Sequence, residues 1–86
     1  MKNVNQLTQQ EAEECYKIVF PDNKNPVKIN RKEDGIDIYT DRYSIRIDKG
    51  IIWLEKESNT DYIDPNVPEN SRQKILKYLQ GLNYLQ

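Results

Sequence analysis

The rhythm of apolar and polar positions changes twice along the chain. Ala12, Cys15, Tyr16 and Val19 recur at helical spacing, so one face of this segment is apolar. From Val27 to Glu55 the period falls to two. Val27 and Ile29, then Ile36 and Ile38, then Tyr43, Ile45 and Ile47, then Ile52 and Leu54 alternate with polar partners. A helical period returns with Ile75, Leu76, Leu79 and Leu82.

Punctuation between these blocks sets the element bounds. Thr8 with Glu11 reads as a capping box, with Leu7 and Ala12 placed for a hydrophobic staple. Pro21 and the following "DNKNP" end the helix, which is expected at about 8–20. Strands are expected at about 27–33, 36–40, 43–48 and 51–56. Two-residue turns at Asp34-Gly35 and Lys49-Gly50 suit type I′ hairpins; the link at Asp41-Arg42 has no glycine. These turns deliver every strand's Ile, Val and Leu to one face, whereas a one-residue slip would swap the faces of a strand.

Residues 57–67 read as a polar loop, anchored by Tyr62-Ile63. Two prolines and four acids fall between Lys56 and Arg72. A second helix is expected at about 68–80, starting at Pro68 or at a cap-like Asn70, with Gly81 as its stop. The fold class that follows is α+β: a two-layer α-β-β-β-β-α domain. A four-stranded antiparallel meander would carry both helices on one face.

Size and charge narrow what such a domain can do. Its 86 residues make one domain; a chain this short buries only about 60–65% of its unfolded surface. One thin core and no deep cleft are expected. The formal charge of −1 and the pI of about 5.4 supply no basic field to gather nucleic acid. No stretch has the length of a membrane span and "MKNVNQLTQQ" has no apolar signal core, so no membrane partner is expected. One cysteine, without a disulfide partner in the chain, points to a reducing cytoplasm.

Chemistry-bearing patterns are sparse. The chain has no histidine, which removes the usual bases for Ser and Cys nucleophiles. Cys15 sits on the first helix's apolar stripe and reads as a structural thiol. Asp61, Asp64, Asn66 and Glu69 offer oxygens, but their spacing lacks the alternation and central glycine of a calcium loop. No catalytic residue, metal ligand or cofactor is assigned, and the protein is read as non-enzymatic. The triplet Asp41-Arg42-Tyr43, in a hairpin, carries no membrane-receptor meaning.

The polar sheet face carries the functional reading. Counting outward from the turns gives one cross-strand row of Lys32, Asp37, Arg46 and Trp53, and another of Asn30, Tyr39, Ser44 and Glu55. The lone Trp53 thus faces away from the core, with Arg46 placed to lie over its indole. As a surface feature, this simply stiffens the sheet; in another reading the 57–67 loop or the "LNYLQ" end covers the indole. As a site, Tyr39, Arg46, Ile51 and Trp53 form a partner-binding patch, because Trp, Tyr and Arg dominate binding hot spots.

Pro26 and outward lysines guard the first strand's edge, whereas the fourth strand lacks a guard before Glu55. That favours strand addition by a partner or a homodimer through the fourth-strand edge. The expected function is a small protein-binding regulator or inhibitor acting by occlusion, of the kind phages and mobile elements often encode. The alternative is nucleic-acid binding through the same aromatic and basic residues. Asp37, Asp48 and Glu55 on the same face cancel the charge and disfavour it. In outline the element order resembles double-stranded-RNA-binding modules, but their basic, glycine-containing approach to the second helix is here "DPNVPEN".

Overall fold

The computed structural model describes residues 1–56, 59–63 and 69–84. After a short 3-10 turn, Val4–Gln6, come helix α1 (Gln9–Val19), strands β1 (Lys28–Arg31), β2 (Gly35–Tyr39), β3 (Tyr43–Asp48), β4 (Ile51–Lys56) and β5 (Asn59–Ile63), and helix α2 (Glu69–Gly81). All strand pairs are antiparallel, in the order β1-β2-β3-β4-β5. The expected four-strand meander is present, and the fold is α+β.

A fifth strand is the main addition. Within 57–67, read from sequence as loop, Asn59–Ile63 pairs back onto the C-terminal end of β4. Glu55 opposes Ile63 and Lys56 opposes Asn59, with a register shift between them. Thr60, Tyr62 and Ile63 favour strand, but an irregular pairing breaks the alternation by which a strand is recognised. The strand beyond β4 also corrects the edge argument, since β4 lies inside the sheet. The candidate oxygen-ligand set lies partly outside the described residues, as does Pro68.

One turn also differs. The register sets Arg31 opposite Ile36 and Asn30 opposite Asp37, and Lys32 N–H donates to Gly35 O at 2.9 Å. The turn therefore falls at Glu33-Asp34. Gly35 opens β2 instead of supplying a positive φ. A Cβ there would sit 2.2 Å from the Ile47 carbonyl oxygen, so close backbone approach is what requires glycine. Relative to the expected pairing β1 moves by two residues, which preserves its faces. At Lys49-Gly50, both φ angles are positive, 52° and 81°, as a type I′ hairpin needs.

One buried cluster draws on both helices and on alternate positions of the strands. Ala12, Cys15 and Tyr16 from α1 and Ile75 and Leu79 from α2 are buried in one cluster with Ile36, Ile38, Ile45, Ile47, Ile52 and Leu54. Val4 and Leu7 from the N-terminal segment and Tyr84 beyond α2 complete it. The opposite sheet face is left to carry Asp37, Tyr39, Arg46, Ile51 and Trp53.

Candidate functional site

Strand alternation puts all four expected site residues on the outer face. Arg46 lies directly across from Trp53, Tyr39 across from Ser44, and Ile51 across from Asp48. Tyr39 and Arg46 are diagonal neighbours, and Ile51 is two residues from Trp53 on the same strand, so the four are contiguous. Ile51 is 54% exposed and Trp53 38% exposed, while Tyr39 and Arg46 are half-buried. Two large apolar side chains side by side in water are the patch's distinguishing feature.

Beside them runs a chain of alternating charge. Lys32 Nζ stands 3.3 Å from Asp37 Oδ2, Arg46 Nε donates to Asp37 Oδ1 at 3.3 Å, and Arg46 Nη1 stands 3.6 Å from Glu55 Oε1. The expected row holding Lys32 is corrected by the register: Asn30, Asp37, Arg46 and Trp53 are in line, as are Lys28, Tyr39, Ser44 and Glu55. Lys32 reaches Asp37 diagonally. Two carboxylates hold the Arg46 guanidinium, and among the described residues the cation–ring contacts are instead Lys2 over Tyr84 and Arg42 over Tyr43. Glu55 is only 7% exposed, so Arg46 is also the counter-ion of a carboxylate withdrawn from water.

A second feature was not legible as a site. Between the C-terminal end of α1 and the β2–β3 turn lies a groove of about 530 Å³, floored by Phe20 and Tyr43 and flanked by Arg42 and Lys24. Tyr16, Phe20 and Tyr43 form an aromatic ladder, with successive centroids 4.8 Å apart. The Tyr16 hydroxyl pairs with Thr40 Oγ1 at 2.7 Å and donates to Tyr43 O at 3.1 Å, which fixes the turn against the helix. The sequence carried one hint, the glycine-free Asp41-Arg42-Tyr43 turn. Nothing in the pattern says that Phe20, past the helix end, meets Tyr43.

Cys15 is fully buried, and burial first, then Glu11 and Glu14, push its thiol up to about 12. That is the opposite of a nucleophile's requirement. Among the described residues, no group of three His, Cys, Asp or Glu side chains is placed to hold a metal. No described helix is long and apolar enough to cross a membrane. The chain matches no known protein family, no curated protein and no solved structure.

Proposed function

We propose that this is a small non-enzymatic protein-binding domain, a regulator or inhibitor that occludes a partner's surface with its outer sheet face. The observation that carries the reading is the pair Ile51 and Trp53, solvated side by side on a rigid sheet next to an ion-paired Arg46. Trp53 and Tyr39 are the anchors, and Arg46 sets orientation through its fixed guanidinium. A sheet face of this kind is preorganised, so little ordering entropy opposes association. A reducing cytoplasm suits the chain's one cysteine, which is buried.

Neutralisation of Lys32 and Arg46 by Asp37 and Glu55 weighs against the nucleic-acid alternative, because phosphate contacts need cations free to pair. The test is capture of a saturable partner by tagged wild type, repeated with Trp53→Ala and Ile51→Ser. Both side chains lie outside the core, so circular dichroism should be unchanged. Trp53→Ala should weaken the complex by about 2 kcal/mol, or about 30-fold. Arg46→Ala is the wrong probe, since it strands Glu55. Retained affinity in both variants, or binding to oligonucleotides that falls steeply with salt, would overturn the reading.

A further inference from the structure

We propose that the groove between the end of α1 and the β2–β3 turn is a second contact site. It takes a partner's peptide segment bearing a carboxylate beside an aromatic or large aliphatic side chain. Tyr43 shares the core-facing parity of Ile45 and Ile47, opposite to that of Arg46, so the groove and the Ile51–Trp53 patch lie on different faces and stand or fall separately.

Three observations define the occupant. The floor is apolar and partly open to solvent: Phe20 and Tyr43, stacked at 4.8 Å and 13° and both half-buried, with Val19 beside them. That floor offers area to an aromatic or aliphatic side chain. The flanking charge is positive. Arg42 and Lys24 are exposed, and among the described residues no carboxylate pairs with either. Against them the lining has one carboxylate, Asp22, while the adjacent Asp41 accepts from Asn25 Nδ2 at 2.9 Å. Arg42 is held with its guanidinium carbon 5.9 Å from the Tyr43 centroid, so a carboxylate bound there would lie next to the apolar floor.

The sign changes next door. A neighbouring depression of about 230 Å³ shares Tyr16, Phe20, Asn23 and Asn25 but is edged by Glu13 and Glu14 as well as Lys17. A ligand's acidic end therefore belongs on the Arg42 side. Peptide is favoured over a small molecule because small-ligand sites enclose most of their guest, and this groove is open along one side. A segment of a larger partner needs to bury only one side chain there.

Titration of the isotopically labelled chain with N-acetyl-Phe-Asp-Glu-amide, followed by amide NMR shifts, tests this. Saturable shifts should centre on the segments around Phe20 and Arg42-Tyr43, with a dissociation constant on the order of 1 mM. Arg42→Gln and Lys24→Gln, both at exposed positions, should each weaken binding several-fold and together about tenfold or more. N-acetyl-Phe-Lys-Lys-amide should not bind, and Trp53→Ala should bind the acidic peptide as wild type does. Absence of saturable shifts, equal response to the lysine peptide, or full binding in the double variant would overturn the proposal. So would equal binding of 3-phenylpropionate, which would mark a small-molecule site. Concentration-dependent shifts at the groove without peptide, which would make a second copy the occupant, would also overturn it.

Discussion

Gly35 and Gly81 show that the same residue type can be indispensable at one position and replaceable at another. A Cβ at Gly35 would meet the Ile47 carbonyl oxygen at 2.2 Å, and that oxygen belongs to the backbone of a central strand. Gly35→Ala should therefore cost about 2–3 kcal/mol. At Gly81 nothing lies within 4 Å of the added carbon and the φ is ordinary, so Gly81→Ala should be neutral or stabilise by up to about 1 kcal/mol. Urea midpoints of the two variants check both signs. A Gly35→Ala midpoint equal to wild type would mean that the β2–β3 spacing adapts. Arg46 is the other residue with a divided role, since it serves the proposed binding face and also neutralises Asp37 and Glu55.

At the scale of elements, the two helices are closed by different devices. The start of α1 is the expected capping box: Glu11 N–H donates to Thr8 Oγ1 at 3.1 Å, and Thr8 N–H donates to Glu11 Oε1 at 3.0 Å. The end of α2 relies on Asn83 rather than Gly81. Asn83 takes φ 68°, its N–H donates to Gln80 O, and Tyr84 N–H donates to Leu79 O. That is a Schellman motif, and its accompanying apolar pair, Leu79 and Tyr84, is buried in the core. Thr8→Ala should cost about 1 kcal/mol. The bond from Thr8's backbone N–H holds the Glu11 carboxyl below its usual value of 4.5, against the opposing effect of burial. Glu11's contribution is thus complete above pH 4.5 and lost as pH falls through the lowered folded value. Denaturant midpoints measured downward from pH 5 should fall less in Glu11→Gln than in wild type, and equal slopes would refute this.

Across the whole molecule, Tyr84 ties the end of α2 to the N-terminal segment. Its hydroxyl donates to Glu11 Oε1 at 2.7 Å, with Gln6 O as a second acceptor within reach at 3.4 Å, its ring receives Lys2 Nζ at 4.3 Å, and Lys2 N–H donates to Asn83 O. Burial, then the bond to Glu11 and its charge, raise the Tyr84 phenol from 10 to about 12. Tyr16 and Tyr78 are shifted in the same direction, chiefly by burial. A raised phenol favours the fold fully below the unfolded value, and that contribution disappears as pH rises through the folded one. Stability should therefore fall between about pH 10 and 12, and Tyr84→Phe should reduce that fall. At neutral pH the same variant should lose about 1–2 kcal/mol, the worth of a hydrogen bond to a charged acceptor. Thermal melts across this range give both readings.

Local signals in the sequence determined the α+β class, the capped start of α1, the β3–β4 hairpin and the outward placing of Tyr39, Arg46, Ile51 and Trp53. Each depends on a period or a turn spanning a few neighbours: alternation of two settles a strand's face, and Lys49-Gly50 settles a register. The tertiary structure decided what depends on distant partners. Gly35 has the local signature of a turn residue, but the Ile47 carbonyl oxygen of the neighbouring strand is what requires it, and β5 is defined by its irregular pairing with Glu55 and Lys56. The guanidinium of Arg46 had two neighbours to choose from, an indole and a pair of carboxylates. The carboxylates hold it because charge-assisted bonds at these distances outweigh a cation–ring contact. The groove at Phe20 and Tyr43 joins residues 23 positions apart, and no periodicity along a chain reports which loop ends will meet.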